Sequence, residues 1–306
     1  AALLLLYSQA LALDKKTSFA ISHYIMGGMY NRLGDMDRAI REYKKALKAD
    51  YKNSTLHLGL ASIYIKKNEL TKAIDELNVV VNLDPETVEA HAILALLYSS
   101  QNKIDLATKE YETALTNASK LEPKNVDIYK SLAAVYLQEK KFKEAEGVFR
   151  LILNLSPQDA EAHFYLANIY DELKKREEAE KELEAALGLK PDYPEALNYL
   201  GYLYVEENKN LDTAEALIRK ALLIDPDNGA YIDSLGWLYF RQGKLDAAIK
   251  ELERAGALMV DPVIYDHLGE AHYKAGDTEK AKINWEKALK LNPDSKEVKE
   301  KLEKVK

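Results

Sequence analysis

The stretch GDMDRAIREYKKALKAD, residues 34–50, contains the pattern that decides the fold. The same phrase returns as GKLDAAIKELERAGALM from Gly243 and as GDTEKAKINWEKALKLN from Gly276. Each copy opens with a glycine, reaches a small residue soon afterwards and then continues with apolar residues at helical spacing. A chain that repeats one phrase at a nearly fixed period predicts stacked structural repeats.

Three markers set the period of the repeat. The first is an alanine that recurs at spacings of 34, 34, 38, 34, 35, 34 and 33 residues. Its eight positions are Ala39, Ala73, Ala107, Ala145, Ala179, Ala214, Ala248 and Ala281. A tyrosine precedes most of these alanines, and a proline closes many of the repeats. A small residue also recurs before the tyrosine, as at Gly27, Gly201, Gly236 and Gly269.

Each repeat contains two amphipathic helical patterns. In EAHFYLANIYDEL, residues 161–173, and in KREEAEKELEAALGL, residues 175–189, apolar side chains recur every three or four residues. Gly34, Gly243 and Gly276 stand between the two patterns, where a left-handed residue ends a helix, and Asn68 and Asn102 tolerate the same conformation. The pattern predicts helical hairpins that bury their apolar faces only by stacking.

These markers resemble the tetratricopeptide repeat family over nearly the whole chain. The resemblance implies an all-α fold, a right-handed α-α superhelical solenoid of stacked helix-turn-helix repeats. The expected repeats span residues 20–53, 54–87, 88–125, 126–159, 160–193, 194–228, 229–261 and 262–295. The third has four extra residues, either a lengthened helix or a local change in superhelix geometry.

The two ends of the chain also fit the repeat pattern. Residues 1–19 read as the second helix of a truncated repeat, because Tyr7 and Ala10 resemble Tyr43 and Ala46; we therefore expect the chain to begin inside a longer protein. Residues 296–306 place valine and leucine on one stripe with lysine and glutamate elsewhere, which is typical of a polar capping helix.

Composition excludes several classes of protein. The chain has 306 residues, a net charge of −7 and no cysteine, so it has neither disulfides nor thiolate metal sites. An acidic balance argues against a nucleic-acid partner. No stretch approaches the roughly 18 consecutive apolar residues of a membrane span, so we expect no direct membrane insertion.

The sequence contains no pattern of catalytic residues, metal ligands or cofactor-binding residues. Four histidines, His23, His57, His91 and His163, recur at one repeat position, and residues in successive repeats lie about 10 Å apart, too far to share a metal ion. DPDNGAYID lacks the glycine that a calcium loop needs at its sixth position. We expect a protein that is not an enzyme and that needs neither a cofactor nor a metal.

By the family resemblance, five positions of each first helix line a concave groove. In the later repeats these positions are aromatic and acidic, and in the early repeats they are mostly aliphatic. Residues 154–306 carry 31 acidic against 22 basic residues, whereas residues 1–153 carry 19 against 21. We predict a protein-binding groove, with Trp237 exposed in it, formed by Phe164, Asn168, Asp171, Asn198, Tyr202, Asp233, Trp237, Phe240, Arg241, Asp266, Glu270 and Tyr273.

The predicted function is a non-enzymatic scaffold or adaptor that binds a protein or peptide segment in the groove. The acidic and aromatic residues favour a basic partner with an apolar anchor. The alternative is a recruitment or regulatory arm of a larger multidomain enzyme or assembly machine. The C-terminal repeats resemble bacterial proteins of the periplasm or outer membrane, which favours that location and leaves the cytoplasm open. The sequence does not determine the oligomeric state.

Overall fold

The computed structural model describes residues 14–305, which form seventeen α-helices and no β-strand. The first helices of the repeats are α1 Asp14–Arg32, α3 Ser54–Lys66, α5 Val88–Ser100, α7 Val126–Gln138, α9 Ala160–Glu172, α11 Pro194–Glu206, α13 Gly229–Arg241 and α15 Pro262–Lys274. The second helices are α2 Met36–Ala49, α4 Leu70–Leu83, α6 Ile104–Leu121, α8 Phe142–Leu155, α10 Arg176–Leu189, α12 Leu211–Ile224, α14 Leu245–Leu258 and α16 Thr278–Leu291. A last helix, α17, spans Lys296–Glu303. The predicted all-α, helical-repeat fold class is confirmed.

A left-handed residue ends the first helix of each repeat. The three glycines and the two asparagines predicted for this role have φ between 57° and 87°. Two repeats place a lysine there instead, Lys140 and Lys174, with φ of 56° and 61°. The sequence pattern did not predict these lysines, because a side chain with a Cβ disfavours this conformation and packing of the flanking helices has to impose it.

The irregular repeats absorb their extra residues in two ways. Helix α6 has 18 residues where the other second helices have 14, so the four-residue insertion of the third repeat adds one helical turn. The single extra residue of the sixth repeat lies in the turn before α12, where Asn208 and Asn210 both have positive φ. In both cases the flanking first helices keep 13 residues.

The small residues of the repeat let its two helices approach closely. Seven of the eight recurring alanines have no exposed surface, and Ala107 is 9% exposed. A Cβ on Gly236 would lie 2.7 Å from Leu252 Cγ, and a Cβ on Gly201 would lie 2.7 Å from Ile218 Cγ1. Both contacts cross from a first helix to the second helix of the same repeat, so glycine is required there by space.

The two ends differ in how far they match the prediction. Residues 1–13, most of the expected second helix over 1–19, lie outside the described residues. The expected boundary after residue 19 is wrong, since α1 already includes residues 14–19 and nothing in DKKTSF interrupts a helix. At the other end α17 forms as a short helix, with Val298 buried against Trp285, Ala281 and Ala288.

By their internal contacts the residues divide into two compact units, Ala1–Lys141 and Phe142–Lys306. The boundary falls inside the fourth repeat, between α7 and α8. The predicted groove residues all belong to the second unit, whose described part is residues 142–305.

Candidate protein-binding face

The predicted groove residues lie on four first helices of the second unit, α9, α11, α13 and α15. We call the surface that they form the first-helix face. One predicted residue, Tyr273, is exposed, and two, Asp233 and Trp237, are buried. The other nine, which are half-buried, are Phe164, Asn168, Asp171, Asn198, Tyr202, Phe240, Arg241, Asp266 and Glu270.

Trp237 is not a surface residue, so its predicted exposure is wrong. Only 9% of it is exposed, because its indole lies between the rings of Phe240 and His267. The ring centroids are 4.6 Å and 4.1 Å away, and both neighbours are nearly parallel to the indole. The indole N–H donates to Glu206 Oε1 at 2.6 Å, so the polar edge of the ring is also satisfied within the chain.

Asp233 is buried with a partner from the next repeat. Both of its carboxylate oxygens lie 3.0 Å from Nδ1 of His267. Burial alone would lower the pKa of His267, but the charge and hydrogen bond of Asp233, together with the charges of Asp266 and Glu206, raise it above the ordinary value. The pair is a buried ion pair that joins α13 to α15.

Asp266 and Glu270 are paired with a lysine of the last helix. The Nζ of Lys301 lies 2.9 Å from both oxygens of Asp266 and 3.0 Å from Glu270 Oε1. A third carboxylate, that of Glu297 on α17 itself, is 3.0 Å away. Burial raises the pKa of the Asp266 carboxyl, and Lys301 opposes this shift by donating to it.

At the other end of the face, α9 and α11 are joined by an aromatic cluster. The hydroxyl of Tyr199 donates to Asp171 Oδ2 at 2.6 Å, and Arg176 lies 3.0 Å from the other oxygen. The ring of Phe164 packs against Tyr193 at 5.2 Å and against Tyr199 at 6.2 Å. The amide of Asn168 donates to the Phe164 carbonyl at 2.8 Å, so it supports its own helix.

Between these two ends, the half-buried Tyr202 lies among negatively charged side chains. Burial raises the pKa of its phenol, and the charges of Glu206, Asp233 and Asp171 raise it further, with Arg176 opposing them. Charges on three successive first helices thus act on one side chain. Because a negative field stabilises a nearby cation, this part of the face suits a positively charged group.

Several residues that shape the face were not among those predicted from the sequence. They are the partners of the predicted residues, namely Arg176, Tyr199, His267 and Lys301. Two of them follow a rule that the sequence contains. Asp233 and Asp266 are each the fifth residue of a first helix, and a basic residue is the sixth residue of the equivalent helix one repeat later, α15 for His267 and α17 for Lys301.

The histidines that recur at one repeat position pair with glutamates of the second helix. The distance from histidine Nδ1 to glutamate Oε2 is 2.6 Å in three pairs, His57–Glu76, His91–Glu110 and His163–Glu182. His23 and Glu42 form the same pair. Among residues 14–305, no group of three or more His, Cys, Asp or Glu side chains could hold a metal ion, and no helix is both long and apolar enough to cross a membrane.

The fold of stacked helical hairpins, with acidic and aromatic side chains on its first helices, is that of the helical-repeat class of proteins. Family models for the tetratricopeptide repeat match residues 31–97, 100–163, 137–200, 174–235, 231–255 and 262–295. The chain belongs to the tetratricopeptide repeat family. Membership supports a protein–protein interaction scaffold, and the fold is typically that of a non-enzymatic scaffold whose members bind protein or peptide partners.

Solved structures with the same fold share little sequence with this chain. A tetratricopeptide repeat protein from Parabacteroides merdae aligns with a TM-score of 0.60 and 19% identity, over 82% of this chain and 98% of that one. A chain of the APC/C hetero-tetramer Cut9–Hcn1 aligns with a TM-score of 0.60 and 18% identity, over 88% of this chain and 52% of that one. PilW, described as a widely conserved type IV pilus biogenesis factor, aligns with a TM-score of 0.55 and 18% identity, over 71% and 97% of the two chains. No curated protein matches the sequence.

Proposed function

We propose that the chain is a scaffold that binds a basic protein or peptide segment on the first-helix face of its second unit. The observation that carries the proposal is the placing of carboxylates of α9, α11 and α13 around the half-buried Tyr202, with the exposed Glu172 and Glu195 on the same helices, which gives this face a negative field. A lysine or arginine of a partner would be stabilised by this field, and an acidic segment would be repelled. The partner therefore carries net positive charge where it lies on this face.

The apolar part of the contact comes from half-buried aromatic rings. Tyr202 and Phe240 keep part of their surface accessible, and Tyr273 is 45% exposed. Aromatic side chains of this kind dominate the energy of many interfaces, since they bury a large area with few rotatable bonds. We assign the anchor contacts to these three rings.

The buried residues of the face position the helices and do not contact the partner. Trp237 and Asp233 hold α11, α13 and α15 in register through Glu206 and His267, and they do not meet the partner directly. Their substitution would weaken binding only by disturbing the helices that present the anchor rings.

A peptide-display selection tests the proposal. Random peptides, unbiased in charge, are selected on the whole chain, and the enriched ones are synthesised and titrated. We expect enrichment of lysine or arginine beside an apolar residue. Affinity should fall by about tenfold or more in a Tyr202→Ser, Phe240→Ser variant, the scale of hot-spot truncation.

The matched control is Leu223→Ser, which changes an 83% exposed apolar residue on a second helix. It should leave the affinity of the selected peptides unchanged. Enrichment of acidic peptides, or equal binding by the Tyr202→Ser, Phe240→Ser variant, would place the partner on another surface.

A further inference from the structure

The first-helix face already holds one ammonium group. Lys301 Nζ lies within 3.0 Å of the carboxylates of Asp266 and Glu270, two residues of α15 that are one helical turn apart. The side chain of Lys301 is only 14% exposed, and those of the two acids are 20% and 28% exposed. The arrangement satisfies the donors of the ammonium group with charged acceptors, as a lysine-binding site must.

We propose that Asp266 and Glu270 form a lysine subsite of the first-helix face, which Lys301 fills in the free protein and a lysine of the partner fills in the complex. This inference rests on the proposed function and names one contact within it. The ligand chemistry is a primary ammonium group on a flexible aliphatic stem. Guanidinium is a poorer fit, because its planar, fixed donors demand a different arrangement of acceptors from a rotating ammonium group.

The preceding repeat shows why Lys301 is exchangeable. There, His267 occupies the position equivalent to Lys301 and pairs with Asp233. Its ring is 6% exposed and stacked on Trp237, so it cannot leave without opening the packing between α13 and α15. Among the described residues no ring is stacked on Lys301, so rotation of its four-carbon stem would release the ammonium group without opening the apolar packing of α17.

Helix α17 does not depend on Lys301 for its position. Val298 is 5% exposed in a cluster with Trp285 and Ala288, and Leu302 and Val305 pack against the same cluster. The apolar contacts of α17 therefore remain when the ammonium group moves. Exchange replaces one lysine by another at the same carboxylates, so the two acids are never left without a counter-charge.

The exchange predicts a gain of affinity when the resident lysine loses its charge. In Lys301→Met the stem is kept and the ammonium group is removed, so Asp266 and Glu270 are open to the partner. The matched control is Lys299→Met, an exposed lysine on the same helix whose loss changes the net charge equally. The probe is a fluorescein-labelled twelve-residue peptide of lysine and leucine. The control peptide has the same sequence with every lysine Nε-acetylated, which removes the positive charge.

Titration of the whole chain by fluorescence anisotropy gives the result. We expect Lys301→Met to bind the lysine peptide roughly threefold to tenfold more tightly than Lys299→Met, the scale of one partly buried charge pair. Adding Asp266→Asn and Glu270→Gln to Lys301→Met should abolish that difference. The acetylated peptide should not distinguish the variants.

Two failures have different meanings. If Lys301→Met and Lys299→Met gain affinity equally, only net charge acts and the subsite is overturned, while loss of binding in Tyr202→Ser, Phe240→Ser still supports the face. If the lysine peptide binds none of the variants, or binds them all regardless of Tyr202 and Phe240, the proposed function itself is overturned.

Discussion

The indole of Trp237 and the imidazole of His267 stack with their centroids 4.1 Å apart and their planes 9° from parallel. The imidazole is paired with Asp233 and the indole with Glu206, so one stack joins three successive first helices. Aromatic residues at positions that suggest a peptide-binding groove thus serve first to fix the spacing of the repeats. The proposed binding surface is what remains accessible around this stack.

Replacement of Trp237 by alanine should destabilise the second unit. The change removes a buried ring and both stacking partners, and such truncations cost about 3–5 kcal/mol. Trp237→Phe keeps a ring in the stack but leaves Glu206 without its indole donor, so it should cost about 1–2 kcal/mol. Thermal and urea unfolding, followed by circular dichroism, measure both. A Trp237→Ala variant as stable as Leu223→Ala would show that the stack is not structural.

The His267–Asp233 pair makes the stability of the second unit depend on pH. The pKa of His267 is raised in the fold above its ordinary value of 6.5. The stabilisation from its proton is therefore complete below pH 6.5 and is lost as pH rises through the higher, folded value. The melting temperature should fall over that interval.

The control for this pH effect is His267→Gln. Burial lowers the pKa of His272, which destabilises the fold as pH falls below 6.5 and so acts over a different interval. The difference between wild type and His267→Gln cancels this contribution. That difference should shrink as pH rises from 6 to 9, and a constant difference would contradict the ion pair.

Glycine-to-alanine changes separate a packing requirement from helix propensity. At Gly269 a Cβ would fall against the indole ring of Trp285, a rigid group that is 2% exposed. Gly269→Ala should therefore destabilise the unit by about 1–3 kcal/mol. At Gly147, inside α8, an added Cβ would meet nothing within 4 Å apart from its own helix, so Gly147→Ala should stabilise by about 0.5–1 kcal/mol. Unfolding free energies with the same sign for both changes would reject this account.

The fold could be predicted from the sequence because its determinants are local and repeated. The alanines at positions 39 and 248, the left-handed glycines and the two helical periodicities each act within one repeat, and eight copies of the signal agree. Burial on the first-helix face is different, since it depends on the neighbouring repeat. Trp237 is covered by His267, which lies 30 residues further along the chain.

The contacts made by the candidate site residues could therefore not be predicted from the sequence in the same way. The repeat pattern placed Asp233 and Asp266 at the fifth position of their helices. It did not show that each meets a basic residue 34 or 35 residues later. An acid at the fifth helix position with a base at the sixth position one repeat later is a pattern of two pairs, too few to be recognised as a rule. Acidic residues that remain unpaired on this face, such as Glu172, are the better guide to a partner's charge.

Exposed carboxylates of the first helices should control how fast a basic partner associates. Glu172, at the end of α9, and Glu195, at the start of α11, are both exposed on first helices of the second unit. Substitution of both by glutamine should slow association of the lysine–leucine peptide about threefold to tenfold at low salt and leave its dissociation rate nearly unchanged, because rim charges act mainly on encounter. Raising the salt concentration should reduce the difference, since screening shortens the reach of these charges to about 8–10 Å near physiological ionic strength.

Glu253→Gln with Glu286→Gln, the same change of net charge on second helices, is the control for the total charge of the protein. Stopped-flow fluorescence across a salt series measures both pairs, and equal slowing by the two pairs would show that the encounter is steered by net charge rather than by the first-helix face.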